Sequence, residues 1–273
     1  MKKLALAVAA LSALVAAPAI AADLARPVLK APPPAPVWSW TGFYVGGNLG
    51  YLVEHDPGTS FFTQPGADPN TPHPNSVAQT SWVGGGQIGY NWQVAPWWVV
   101  GVEADWDWTN PNYSFCRETD RGNCFDSGNN NRGALTISGK TKSLATVRGR
   151  IGWTWDRFFF YATGGGAWGS VDTTLAASCL VGGCGNNATA NATATSFSNT
   201  KSGWVVGVGT EFMLTQNWTT RLEWLHYDLG TVTNAYGSSA AFGSYGVIWS
   251  RSLRYDTARL ALNYKFDWGA PRY

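Results

Sequence analysis

The chain has 273 residues, a formal net charge of +2, 32 glycines, 16 tryptophans and only 13% charged residues, about half the charged share of an ordinary soluble domain. Glycine disfavours helices and large aromatics favour strands, so this composition excludes a helical bundle. The near balance of charge excludes nucleic-acid binding through a basic field.

Lys2 and Lys3 precede an apolar run from Leu4 to Ala17 that ends at Ala19-Ile20-Ala21, the pattern of a secretory signal cleaved after an A-x-A site, over residues 1–21. Removing it leaves 17 basic and 17 acidic residues. No later stretch approaches the roughly 18 consecutive apolar residues of a spanning helix, so any membrane crossing is made by strands. Residues 22–37 carry Pro27, Pro32, Pro33, Pro34 and Pro36 and read as an extended periplasmic linker.

From residue 38 to 273 the sequence predicts about eight strands, near 41–53, 80–92, 97–108, 141–155, 158–169, 201–214, 217–229 and 251–266. The gaps alternate between long (54–79, 109–140, 170–200, 230–250) and short (93–96, 156–157, 215–216). Short turns on one side and long loops on the other are what an up-and-down outer-membrane barrel requires, and an even strand count returns both ends to the periplasm. The fold class expected is therefore all-β, a closed antiparallel up-and-down transmembrane β-barrel.

One face of each strand is apolar, with aromatics at its ends and small or aliphatic residues in its middle. The expected girdle comprises Phe43 and Tyr51; Trp82, Tyr90 and Trp92; Trp98, Trp106 and Trp108; Trp204 and Phe212; and Tyr264 and Phe266. Rings prefer the membrane–water interface, and the eight residue steps from Phe43 to Tyr51 span about 27 Å of strand, or about 20 Å of height when tilted. On the strand at 158–169, Phe159 and Tyr161 compete for the outward face with Phe158, Phe160 and Trp168, and the girdle pattern selects the even-numbered set.

The opposite face carries glycine, asparagine and Glu103, Asp105, Arg148, Arg150, Glu211, Arg221, Glu223, Arg259 and Lys265. In a barrel this small those side chains point inward, where opposite charges must pair, so a lumen salt-bridge network is expected. A solvated sheet face is the alternative fate of such residues.

Four cysteines form two close pairs, Cys116 with Cys124 and Cys179 with Cys184, each in a polar segment. Two local disulfides are the simplest of three connectivities in an exported chain. Metal binding is the competing reading, although no histidine lies near and neither spacing is C-x-x-C. His226 and Asp228 share one face near a strand end; with a serine they would resemble a hydrolase dyad, but no G-x-S-x-G elbow exists, and a polar strand end at the lipid headgroups is the stronger reading. His55 and His73, with Asp56 and Asp68, fall in the first long gap and match no metal or haem ligand spacing.

Eight segments in order, among them Trp40-Thr41-Gly42-Phe43-Tyr44-Val45-Gly46-Gly47, Gly85-Gly86-Gln87-Ile88-Gly89-Tyr90, Val147-Arg148-Gly149-Arg150-Ile151-Gly152, Arg221-Leu222-Glu223-Trp224 and Asn263-Tyr264-Lys265-Phe266, carry a resemblance. The chain resembles the small porin-family outer-membrane β-barrel proteins of alphaproteobacteria, similar in architecture to the transmembrane domain of OmpA. The resemblance covers nearly the whole sequence. It implies an abundant outer-membrane protein with a structural or surface role, no cofactor and no family-wide catalytic residue. Such barrels usually end on the last strand's aromatic, here Phe266, whereas this chain continues from Asp267 to Tyr273.

The expected role is structural or interactive, non-enzymatic, with outer-membrane lipid, lipopolysaccharide and the barrel assembly machinery as partners and a second copy of the chain as a further candidate. A narrow diffusion pore is the main alternative; a soluble lipocalin-like carrier and a surface haem or metal binder stand behind it.

Overall fold

The computed structural model describes residues 38–55, 59–63, 73–74, 79–118, 133–179, 191–236 and 246–266. The signal, the proline-rich spacer and the 267–273 tail lie outside the described residues. Eight long strands form a ring: β1 (Gly42–Glu54), β4 (Thr80–Ala95), β5 (Trp98–Thr109), β7 (Gly133–Trp155), β8 (Phe158–Cys179), β9 (Asn191–Met213), β10 (Trp218–Tyr236) and β11 (Gly246–Phe266). Three shorter strands, β2 (Thr59–Thr63), β3 (His73–Pro74) and β6 (Asn112–Glu118), lie in the connections.

Each wall strand pairs antiparallel with its neighbour, and β1 also pairs with β11 over twelve residues from Phe43↔Phe266 to Glu54↔Tyr255, which closes the sheet. Closure leaves no wall strand with a free edge between the girdles, the condition for a sheet in hydrocarbon, where backbone groups have no water to bond; beyond Trp204↔Asp228, β9 and β10 part. Tight connections at residues 96–97, 156–157 and 214–217 share one end of the ring with Gly42 and Phe266. The short connection at 156–157 places Asp156 in the left-handed region at φ 52°, a conformation aspartate tolerates better than most residues.

The strands run longer than their sequence signals. β7, β8 and β9 continue past the expected 141, 169 and 201 to Gly133, Cys179 and Asn191, and β10 and β11 also extend, so with β2 and β3 in the first gap all four expected long loops are partly sheet. The extensions carry no outer aromatics, and their runs of threonine, serine and alanine resemble loop composition. Alternation persists in them nonetheless: Ile137, Val171, Leu175 and Val232 are buried, and along β9 the odd residues from Thr195 to Asn199 are half-buried between exposed even ones.

Alternation governs the wall. Even residues of β8 from Phe158 to Trp168 face outward, while Phe159 and Tyr161 are buried inside. Outward aromatics gather at two levels. At the short-turn end, ring contacts link Phe43 to Phe266, Tyr264 to Phe266, Trp218 to Tyr264, Phe158 to Phe212 and Trp153 to Phe160. At the other level stand Tyr51, Trp82, Trp106, Trp108, Trp168, Trp204 and Trp224, all exposed, and between the levels the face carries Leu49, Ile88, Val102, Val147, Val208, Leu222 and Leu260. The exposed girdle also includes Trp97, Trp153, Trp155, Trp218 and Trp224, which the sequence-based girdle did not contain.

Candidate functional site: the barrel interior and its two ends

The interior is layered. Its middle layer is polar and takes side chains from all eight wall strands. Glu103 is the hub: Arg148 donates to its Oε1 at 2.5 Å, while Arg221 at 2.5 Å, Arg150 at 3.2 Å and the Tyr44 hydroxyl at 2.5 Å donate to Oε2. Asp105 accepts from Arg148 at 2.8 Å, Arg259 at 3.2 Å and Thr146 at 2.6 Å. Glu223 accepts from Arg148 at 3.1 Å, Tyr161 at 2.8 Å and Arg259 at 2.9 Å. Glu211 accepts from Arg150 at 2.6 Å, Thr219 at 2.5 Å and Asn263 at 3.0 Å.

The charged members are 0–6% exposed, so their pairing replaces hydration rather than supplementing it. The guanidinium of Arg150 also stacks over the rings of Tyr161, at 4.3 Å, and Phe159, at 4.9 Å. Glycines make the room these rings need: a Cβ at Gly89 would strike the Tyr44 hydroxyl, and one at Gly209 the Tyr161 hydroxyl.

Of the nine ionisable residues singled out from sequence, eight meet in this network. Lys265 points inward too, but its ammonium donates to the Ser39 carbonyl at the short-turn end. Asp107 is an additional member, bound by Arg259 and by Asn48 at 2.8 Å. It lies between the outward Trp106 and Trp108, so strict alternation would have found it. Gln87 links Asn48 and Asn263 at 2.9 and 2.7 Å, and its inward direction follows from the same alternation.

Above and below this layer the lumen holds buried apolar clusters beside a smaller number of polar side chains, which adds an apolar part to the expected inner face of glycine, asparagine and charge. At the long-loop end Leu52, Val83, Leu144, Val171, Leu225, Leu229, Trp249 and Leu253 pack into one buried cluster. Arg251 and Glu54 form an ion pair at this end, both 1% exposed. At the short-turn end Trp40, Val99, Phe159, Tyr161 and Met213 form a second cluster, with Trp40 against Phe159 at 5.2 Å between ring centroids.

On the outer wall, among the upper aromatics, sits a polar cluster. His226 lies between Trp204 and Trp224 and donates from Nδ1 to Asp256 Oδ1 at 2.7 Å, while His55 bonds the other oxygen of Asp256. Asp228 instead takes Arg254 at 3.2 Å, so His226 and Asp228 share a face without being partners. Asp256 is desolvated in part, yet the hydrogen bonds from His226 and His55 hold its carboxyl below the usual value. Farther toward the long-loop end, on β7 and β8, Lys142 holds the Asp172 carboxyl down through an ion pair of 2.5 Å. The side chains of His73, Asp56, Asp68 and all four cysteines lie outside the described residues.

Comparison with known proteins agrees with this architecture. The family model described as outer membrane protein beta-barrel domain matches residues 6–266. A 31 kDa outer-membrane immunogenic protein of Brucella melitensis is 32% identical over 275 residues, covering 94% of this chain and 98% of its own. A 22 kDa outer membrane protein of Rhizobium leguminosarum is 30% identical over 198 residues, 72% of this chain and 67% of its own. Among solved structures, the outer membrane protein OprG of Pseudomonas aeruginosa aligns over 84% of this chain and 98% of its own, at 10% identity and a TM-score of 0.43. With the closed eight-strand ring, its two aromatic girdles and a family match over nearly its whole length, the chain belongs to the outer membrane protein beta-barrel domain family and resides in the outer membrane of a Gram-negative bacterium.

Proposed function

We propose that this barrel serves as a structural, surface-interacting element of the envelope and not as a solute channel. One observation carries the reading: the charged middle layer is sealed between two buried apolar clusters, so water and ions meet a dry stretch at each end of the lumen. An ion crossing Leu144, Leu225 and Leu253 would lose most of its hydration against their side chains, and the charges beside them, Arg251 and Glu54, are joined to each other. The wall contacts lipid and lipopolysaccharide, the long-loop end faces outward, and the assembly machinery inserts the strands. Residues 1–21 act as the export signal and 22–37 as a periplasmic spacer. The role requires no cofactor and no catalytic group.

A deletion strain tests it. The expected phenotype is heightened sensitivity to detergents and large antibiotics, restored by the wild-type gene, with unchanged uptake of small sugars and amino acids. An intact barrier with slowed uptake would replace this reading with the diffusion-pore alternative.

A further inference from the structure

At the short-turn rim, below Trp40, a pocket of about 190 Å³ opens between Trp38, Trp40, Trp97, Thr154 and Asp156. Its frame is fixed: the Gln93 and Thr154 side chains both donate to the Pro96 carbonyl, at 3.0 and 3.2 Å, and the Trp40 amide donates to Gln93 at 3.1 Å. Its remaining polar groups are not used up. Trp40 is 2% exposed, yet its indole N–H has no acceptor among the described residues, and a buried donor without a partner is destabilising until something accepts from it. The Asp156 carboxylate makes no ion pair among the described residues, and the residue lines the pocket from the tight 156–157 turn, where its φ is 52°. Beside the pocket the Arg157 guanidinium lies 4.4 Å over the Trp38 ring.

These groups define the ligand they suit. Indole faces with a carboxylate attract an ammonium, through the ring quadrupole and the opposite charge. A free indole N–H with a neighbouring guanidinium attracts an anionic oxygen. The two sets stand side by side, so the matching ligand carries an ammonium and a phosphate a few bonds apart. The short-turn end of an outer-membrane barrel faces the periplasm, and the exposed Trp97 continues into the lower girdle at Trp98 and Trp155, the level of the inner-leaflet headgroups.

We propose that the pocket lined by Trp38, Trp40, Trp97 and Asp156 is a binding site for the zwitterionic phosphoethanolamine headgroup of a periplasmic-leaflet phospholipid. The ammonium sits against Trp97 and Asp156, and a phosphate oxygen accepts from the Trp40 indole with Arg157 alongside. Glutamine and threonine, both spent on Pro96, hold the rim in place.

The test uses the full chain, tryptophan-labelled with nitrogen-15 and refolded in a neutral detergent. It is titrated with phosphatidylethanolamine bearing six-carbon acyl chains, and separately with phosphatidylglycerol of the same chain length. The expected result is a saturable downfield shift of the Trp40 indole proton with phosphatidylethanolamine, and at least tenfold weaker binding of phosphatidylglycerol. Asp156→Asn, which tolerates the same backbone angle, is expected to weaken phosphatidylethanolamine tenfold or more while keeping the folded gel mobility. Trp40→Phe keeps the ring and loses the N–H, and is expected to weaken it severalfold. Equal responses to the two lipids, an unchanged response in Asp156→Asn, or a shift caused only by soluble peptidoglycan fragments would each overturn the proposal.

Discussion

Glu103→Gln isolates the contribution of the lumen network. The substitution keeps the shape and one acceptor but removes the charge that faces three arginines. Arg148 retains Asp105 and Glu223, and Arg150 retains Glu211, whereas Arg221 loses the carboxylate its Nη1 binds while its Nε and Nη2 already lack partners among the described residues. One fully buried cation is thereby stranded, and breaking a buried pair from one side costs about 3–5 kcal/mol. Arg221→Met leaves Glu103 with Arg148 and Arg150 and is expected to cost less, about 1–3 kcal/mol. The double variant removes the stranded charge, so it should be no less stable than Glu103→Gln alone, a coupling of about 2 kcal/mol. Reversible urea unfolding in lipid vesicles, followed by tryptophan fluorescence and by the gel shift of the folded barrel, measures all three. A Glu103→Gln protein within about 0.5 kcal/mol of wild type, with no coupling to Arg221, would mean the interior is hydrated and the pairing argument is wrong.

Three further outcomes follow from the same geometry. Asp256 has a carboxyl pKa depressed by His226 and His55, so its contribution is full above the ordinary carboxylate pKa of about 3.9 and is lost as pH falls through the lower, folded value. The stability gap between wild type and Asp256→Asn should therefore close as pH falls below about 4; a gap that keeps widening between pH 4 and pH 2 would reverse the sign. Leu260→Arg, on the lipid-facing wall between the girdles, should cost about 2–4 kcal/mol, against about 0–1 for Thr231→Arg above the upper aromatics, measured by the same unfolding titration. Deleting residues 267–273 should leave membrane insertion unchanged, because β11 already closes on β1 through Phe266↔Phe43; loss of the folded band would assign the tail a part in assembly.

The wall was legible in the sequence because a membrane imposes a two-level rule that a soluble core does not. Phe43 to Tyr51 and Trp98 to Trp108 each mark both interfaces on one strand, and the even-numbered set of β8 follows from the same constraint. The extensions of β7 to β9 were hidden because above the membrane no lipid selects the outer face. Ser196, Ser198 and Thr174 there resemble loop residues, and only the inner alternation through Ile137, Leu175 and Phe197 betrays a strand. Inside the barrel, charge drew the eye to Glu103 and the arginines, while Leu225, Tyr227 and Leu229 on the same inward face carry the apolar seal. Alternation places those residues inward as firmly as it places Glu223. The His226 partner was misleading for a different reason: a side chain two residues along the strand is close in sequence, but the antiparallel register brings Asp256 of β11 directly opposite.

Single-channel recording addresses the sealed lumen most directly. The refolded, heat-modifiable protein is inserted into a planar lipid bilayer under an applied voltage, with Arg148→Ala and Glu211→Ala alongside. The two apolar layers around Leu225 and Trp40 predict insertion without discrete conductance steps in any of the three proteins. Reproducible steps in the wild type whose size or ion selectivity changes in either variant would contradict a closed interior and make the charged layer the lining of a pore.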